Sequence, residues 1–207
     1  MCRQELIPLA NENISWELKK EKSAELLARL LPLSAETLSS LNTPNSLYVV
    51  AYGGDELVPH LFEAASQGII YVGRCKENSV RHFTNGKTGE STLRRSLAAM
   101  LAHHLELNPI PRSHDEADID RYDNYALDSD SEARLTKWIE ENLSVAVMTL
   151  GSEEEREEMS LALIDYNSPI FNFQYNPGNR YGNQIKNYRN LMAEKAKVND
   201  LGRISYK

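Results

Sequence analysis

Four side chains stand out by type and spacing. Tyr48 lies in the apolar run SLYVVAY (46–52), Tyr71 lies in GIIYV (68–72), and Arg81 follows ten residues after Tyr71. Much later the segment SLALIDYNSPIFN ends at Asn172. Arg81 belongs to a basic block. Residues 74–95 hold Arg74, Lys76, Arg81, Lys87, Arg94 and Arg95 against two acids, a net of +4, and residues 173–207 carry a net of +5. The stretch between them, 96–172, carries −12, and residues 1–73 carry −4. Two basic blocks separated by an acidic one suggest a local anion-binding face, and plain solvated faces are the competing reading. Arg94 and Arg95 follow Ser91–Thr92 at a helix start, where they could grip backbone phosphates. In the tail, Tyr175, Arg180, Tyr181, Lys186, Tyr188 and Arg189 interleave rings with cations. That suits contact with a nucleic-acid groove or backbone, or a docked helix packing its tyrosines. His82 could assist Arg81. His103 and His104 are adjacent, so they point to different sides of a helix and make a poor metal pair. Cys75 has no His/Asn arrangement around it and reads as a small packed residue.

Composition narrows the class. The chain has 207 residues, 41% hydrophobic and 26% charged, which fits one domain with an extension and a sizeable core. Its overall charge of −7 argues against non-specific coating of nucleic acid. Two cysteines, Cys2 and Cys75, are too few for a disulfide framework or zinc site. No apolar run approaches the roughly 18 residues of a membrane span, and the N-terminus lacks a secretion-signal layout. The expectation is a soluble cytoplasmic protein with no membrane partner.

The elements that must position these residues follow from local pattern. Residues 14–32 space their leucines as an amphipathic helix ended by Pro32. Ser34 starts a short capped helix. Strands are expected over 46–52, 68–72 and 143–150, each broken by glycine or polar residues. DELVPHLFEAASQ (55–67) is too long for a tight hairpin and leaves room for a helical turn. TNGKTGES (84–91) reads as a polar loop, and 92–107 as a helix stopped by Pro109 and Pro111. Residues 112–131 hold seven acids and read as a solvated insertion. Ser131 and Ser152 cap two further helices; the acid run EEEREE complements the dipole of the second, and Ser168–Pro169 ends it. A basic helix is expected from Gln184. The fold class is α+β: a small three-stranded antiparallel sheet flanked by helices, with an N-terminal helical extension. The expected domains are 1–44 (extension), 45–175 (core, with 112–131 inserted) and 176–207 (basic tail).

SLY (46–48), YVG (71–73), Arg81 ten residues beyond the second tyrosine, and Leu163–Ile164, Pro169 and Asn172 together resemble the motifs of the GIY-YIG nuclease superfamily. STLRRSLAAML resembles a subgroup in which such a segment follows the arginine. The offset of 23 positions from Tyr48 to Tyr71 exceeds the usual gap, as in restriction-enzyme-like members. The resemblance covers roughly 46–172. It implies a DNA endonuclease that uses Mg²⁺ or Mn²⁺: Arg81 on the non-bridging oxygens, Tyr48 or Tyr71 orienting or deprotonating water, and Asn172 ordering the site. A phenol of pKa near 10 is a poor base at neutral pH unless cations favour the phenolate. One departure matters. The family places a metal-binding glutamate twelve residues before the asparagine, and here that position is Ser160. Glu157, one turn earlier on roughly the same helix face, is the surrogate.

Three functions are therefore expected in order: a metal-dependent DNA endonuclease, of restriction or defence type; a catalytically degenerate, nuclease-derived DNA-binding or regulatory module; and a protein-interaction domain using the acidic insertion. Expected DNA contacts are Arg74, Lys87, Arg94 and Arg95. The N-terminal helices and the insertion would serve target recognition or a homodimer.

Overall fold

The computed structural model describes residues 14–53, 68–75 and 79–204; the expected turn of helix within 55–67 lies outside them. The described residues divide between two compact units, 1–80 with 140–182 and 81–139 with 183–207.

The first unit holds the sheet. Helix α1 (Trp16–Ala28) starts where the Ser15 hydroxyl accepts the Leu18 N–H, and α2 (Ala35–Ser40) starts at a capping box of Ser34 with Thr37. Between them Leu31–Pro32 forms a two-residue strand, β1. The main strands are β2 (Ser46–Tyr52), β3 (Ile69–Arg74) and β6 (Leu143–Thr149). The sheet is antiparallel in the order β1-β6-β2-β3. It therefore has four strands rather than the expected three. The extra one is an edge strand, where Pro32 has no ladder N–H to lose.

Register sets which side chains share a face. Leu47 lies opposite Arg74 and Met148, Tyr48 opposite Gly73, Val49 opposite Val72, and Val50 opposite Tyr71. A bulge between Val50 and Ala51 shifts the register, so that Ala51 lies opposite Ile69 and Ile69 joins the face of Val49 and Val72. Leu47, Val49, Val72 and Met148 meet Leu26 of α1 and Met159 and Leu163 of α5 (Glu153–Asn167) in one buried cluster. Full burial of each such side chain contributes about 1.5–3 kcal/mol. Tyr48, Val50, Tyr71 and Gly73 take the opposite face. Helix α5 is capped by the Ser152 hydroxyl on Glu155 N–H, opens on three glutamates, and stops at Ser168 in the left-handed region (φ 45°) before Pro169. Lys19 and Ser23 of α1 bind Asp165 (2.7 Å) and Asn167 (2.8 Å) of α5, so the N-terminal helix is part of the sheet's own packing.

The second unit contains α3 (Thr92–Leu101), most of α4 (Ser129–Asn142) and most of α6 (Gly182–Ile204). Strands β4 (Pro109–Ile110) and β5 (Ala126–Leu127) pair across the base of the acidic insertion. Tyr125 inside that insertion is fully buried, its hydroxyl donating to Arg95 O at 2.6 Å.

Candidate active site

In the first unit the two tyrosines share one face of β2–β3. Tyr48 is 1% exposed and Tyr71 half-buried, with ring centroids 6.0 Å apart at 47°. Gly73 makes this possible. A Cβ at Gly73 would lie 2.5 Å from the Tyr48 hydroxyl oxygen, so the ring of Tyr48 occupies the space a side chain would take. The glycine of YVG is therefore a seat for the tyrosine of SLY.

Asn172 holds the outer edge of β3. Val72 N–H donates to its Oδ1 and its Nδ2 donates to Val72 O, both at 2.8 Å, while Phe171 N–H donates to Ile70 O at 3.0 Å. The amide thus does for this edge strand what a neighbouring strand would do. Two further asparagines, which the sequence reading did not single out, fix that segment. Asn176 Nδ2 donates to Pro169 O (2.8 Å) and Asn172 O (3.0 Å), and Asn179 Nδ2 to Ile170 O (2.9 Å) and Asn172 O (3.0 Å).

The metal position fares differently. Ser160 is buried, and its hydroxyl donates within its own helix to Glu157 O at 2.8 Å. Glu157 Oε1 lies 3.1 Å from Arg74 Nη1. Arg74 stands opposite Leu47, on the face covered by α5, away from the tyrosine face. The surrogate role expected of Glu157 is corrected accordingly: its carboxylate meets a guanidinium on the other side of the sheet. Among the described residues no group of three or more His, Cys, Asp or Glu side chains comes together to hold a metal. A neutral hydroxyl already donated, beside a carboxylate already paired, does not fit a Mg²⁺ or Mn²⁺ site.

Nearby, Arg156 is buried with Nη1 3.4 Å from Cys75 O, and burial pushes the Cys75 thiol up to about 11. A thiol held protonated is inert, as its sequence context suggested.

The second unit carries the cations. Arg81 and His82 end a short 3-10 turn, Ser79–His82. His82 is buried, with Nδ1 2.7 Å from Ser91 Oγ. Ser91 Oγ also accepts Arg94 N–H at 3.0 Å as the cap of α3, so one hydroxyl joins the imidazole to the start of that helix. Burial first, then Arg81, Arg94 and Arg95, push the imidazole down to about 4 and keep it neutral.

Arg94 is wholly buried. Its Nη2 donates to Glu132 Oε2 at 2.6 Å and to Thr136 Oγ1 at 2.9 Å, and its Nε to Thr88 Oγ1 at 3.3 Å. Glu132 also accepts Gly86 N–H (3.2 Å) and Thr88 N–H (3.1 Å). Arg95 is 6% exposed and donates to Thr88 O and Gly89 O at 3.3 and 2.8 Å. The expectation that Arg94 and Arg95 reach out to DNA phosphates is thus revised: a side chain with almost no surface cannot meet a phosphate, and both brace the loop 84–90. Lys87 on that loop is exposed enough for contact and lies 2.7 Å from Glu90.

With this geometry in view, residues 55–191 match the family of the GIY-YIG catalytic domain, about two-thirds of the chain. The chain belongs to the GIY-YIG family, whose members carry nuclease-type activity and generally depend on a divalent metal. Tyr71, Arg81 and Asn172 fall within the match, and Tyr48 precedes it. Neither a curated protein nor a solved structure matches the chain. No helix among the described residues is long and apolar enough to cross a membrane.

Proposed function

We propose that the chain is a DNA endonuclease that hydrolyses phosphodiester bonds, of restriction or defence type. The observation that carries this reading is the Tyr48–Gly73–Tyr71 arrangement braced at Val72 by Asn172. In-line hydrolysis needs an oriented water and neutralisation of the charge developing on the phosphoryl oxygens. Tyr71, the partly exposed phenol, orients the water, and the enclosed Tyr48 fixes the face on which it sits. Arg81 supplies the fixed positive charge for the non-bridging oxygens. Asn172 positions Tyr71 through the strand backbone. The requirement for Mg²⁺ or Mn²⁺ is carried over from the family; its carboxylate is not drawn from residues 157 or 160, and no step here is assigned to it.

A second reading is favoured by one observation, the inward-turned Ser160 beside the Arg74–Glu157 pair: a nuclease-derived module that binds DNA without cutting it. A cleavage assay separates the two, on supercoiled plasmid and on branched and modified DNA, with Mg²⁺ or Mn²⁺. The endonuclease predicts cutting that is lost in Tyr71→Phe and Arg81→Ala proteins that still fold. The binding module predicts salt-sensitive DNA affinity in all of them and cutting in none.

A further inference from the structure

The second unit contains a groove the proposed mechanism does not use. It has a volume of about 340 Å³ and is lined by Lys186, Arg189, Asn190 and Ala193 of α6 and by Asp123 of the acidic insertion. Positions 186, 189, 190 and 193 recur at helical spacing, so α6 presents two cations and an amide along one face. Arg189 makes no hydrogen bond or ion pair among the described residues.

A third cation lies close enough to feel the charge of Arg189. Arg95 is almost wholly buried, and its Nε finds no acceptor among the described residues. Burial, then the nearby Arg189, push its guanidinium down to about 10, with Arg112 adding to the same effect. Arg112 has its own carboxylate, Asp118, at 2.6 Å. Like charges gathered around an enclosed guanidinium are costly unless an anion joins them.

We propose that this groove is an anion site for a backbone phosphate of DNA, gripped by Arg189 and Lys186 with Asn190 as an amide donor. It rests on the DNA reading above and extends it to a second point of contact. Arg95 acts as a fixed charge close to Arg189 and does not touch the phosphate. Asp123 lines the same groove and opposes an entering anion, so it sets how tightly the phosphate is held. The net charge of +5 over residues 173–207 gives the helix a field of the right sign along its length.

The test measures binding of a labelled short duplex to the full chain, without divalent metal, across a salt series. Arg189→Gln and Lys186→Gln are each expected to weaken binding about three- to tenfold, and each should lower the slope of log affinity against log salt by about 1. Asp123→Asn is expected to tighten binding. A groove closed merely by internal ion pairs would instead make Asp123→Asn less stable with DNA affinity unchanged, and that result overturns the proposal. Arg81→Ala serves as the reference, expected to lower the salt slope by a similar amount and to lose cleavage at saturating protein with divalent metal, where Arg189→Gln and Lys186→Gln keep it. Inorganic tripolyphosphate, titrated with the same variants, separates a free polyanion from DNA. Binding of tripolyphosphate that needs Arg189, with DNA affinity indifferent to Arg189, overturns the assignment to DNA. Wild-type DNA binding that is unchanged in both cation variants overturns the groove alone. A wild-type chain that neither binds nor cuts DNA overturns the endonuclease reading and this one together.

Discussion

Glu132 is the residue whose removal should cost the second unit most. Its two oxygens accept from Arg94 Nη2, Gly86 N–H and Thr88 N–H, and the side chains of the ion pair are 0% and 5% exposed. Glu132→Ala leaves a buried guanidinium without its counter-charge, which costs about 3–5 kcal/mol. It also strips the acceptor from the buried Thr88 N–H, worth about 1–3 kcal/mol. The two losses share one side chain and overlap, so about 4–6 kcal/mol is expected in all. For a chain of this size that shifts the melting midpoint down by roughly 10–20 °C. Against a typical stability of about 5–15 kcal/mol, the variant approaches unfolding. Urea melts followed by circular dichroism measure the loss. If Glu132→Ala fails to express as folded protein, the double variant Arg94→Met/Glu132→Met carries the argument. Replacing both charges by apolar groups is close to neutral for the pair, leaving about 1–3 kcal/mol for the orphaned loop amides. Hydrogen exchange should then show the Gly86 and Thr88 amides opening early. The reference is Asp165→Ala, which breaks a pair whose carboxylate side chain is 41% exposed and should cost under about 1 kcal/mol. A Glu132→Ala protein no less stable than Asp165→Ala would refute the reasoning.

Three further outcomes follow from the geometry. Gly73→Ala should drive the Tyr48 ring from its seat and cost about 1–3 kcal/mol in a thermal melt, whereas adding Tyr48→Leu to it should recover stability without recovering cleavage. Asn172→Ala removes two hydrogen bonds to the Val72 backbone, about 2 kcal/mol together, and single-turnover cleavage should fall further than DNA affinity does. His82 titrates near 4 when folded against an ordinary 6.5, so the unfolded chain binds more protons between these values. Its contribution is full above pH 6.5 and is lost as pH falls toward 4, about 3 kcal/mol in all; urea midpoints at pH 5 and 7.5 should therefore diverge more in wild type than in His82→Gln.

What could be read from sequence was what local chemistry determines. SLYVVAY and GIIYV are β-branched runs with glycine stops, and Ser34 and Ser152 announce their helices by side chains that bond three residues on. The order of Tyr48, Tyr71, Arg81 and Asn172 pointed to the family before any coordinates. The strand at Leu31–Pro32 was invisible, because two residues have no periodicity and only pairing with Ser144 and Val145 makes them a strand. Arg94 and Arg95 misled for a related reason. A run of cations reads as a solvated face, and nothing local signals that Glu132, 38 residues on, will enter to neutralise one of them. Asn176 and Asn179 carried a signal in the asparagine-rich run FNFQYNPGN, but their acceptors are main-chain carbonyls at 169–172 that only the folded turn presents.

Glu157 was misplaced by the same kind of gap, and there the physical rule is simple enough to test. Helical spacing puts Glu157 one turn before Ser160, which is correct, but the side of the sheet it meets is set by strand register. In YVGR, alternation sends Tyr71 and Gly73 to one face and Val72 and Arg74 to the other, and α5 covers the second. A carboxylate beside the sheet-facing stripe of α5 therefore meets Arg74 before it can meet a phenol. With side-chain exposures of 35% and 57%, that pair contributes under about 1 kcal/mol. Glu157→Ala is accordingly expected to keep its fold and, on any DNA the wild type cuts, to cut within about threefold of the wild-type rate. Steady-state cleavage and a thermal melt check both. Loss of cutting with fold and DNA affinity intact would mean that α5 slides until Glu157 reaches the tyrosine face, and the register argument would fall with it.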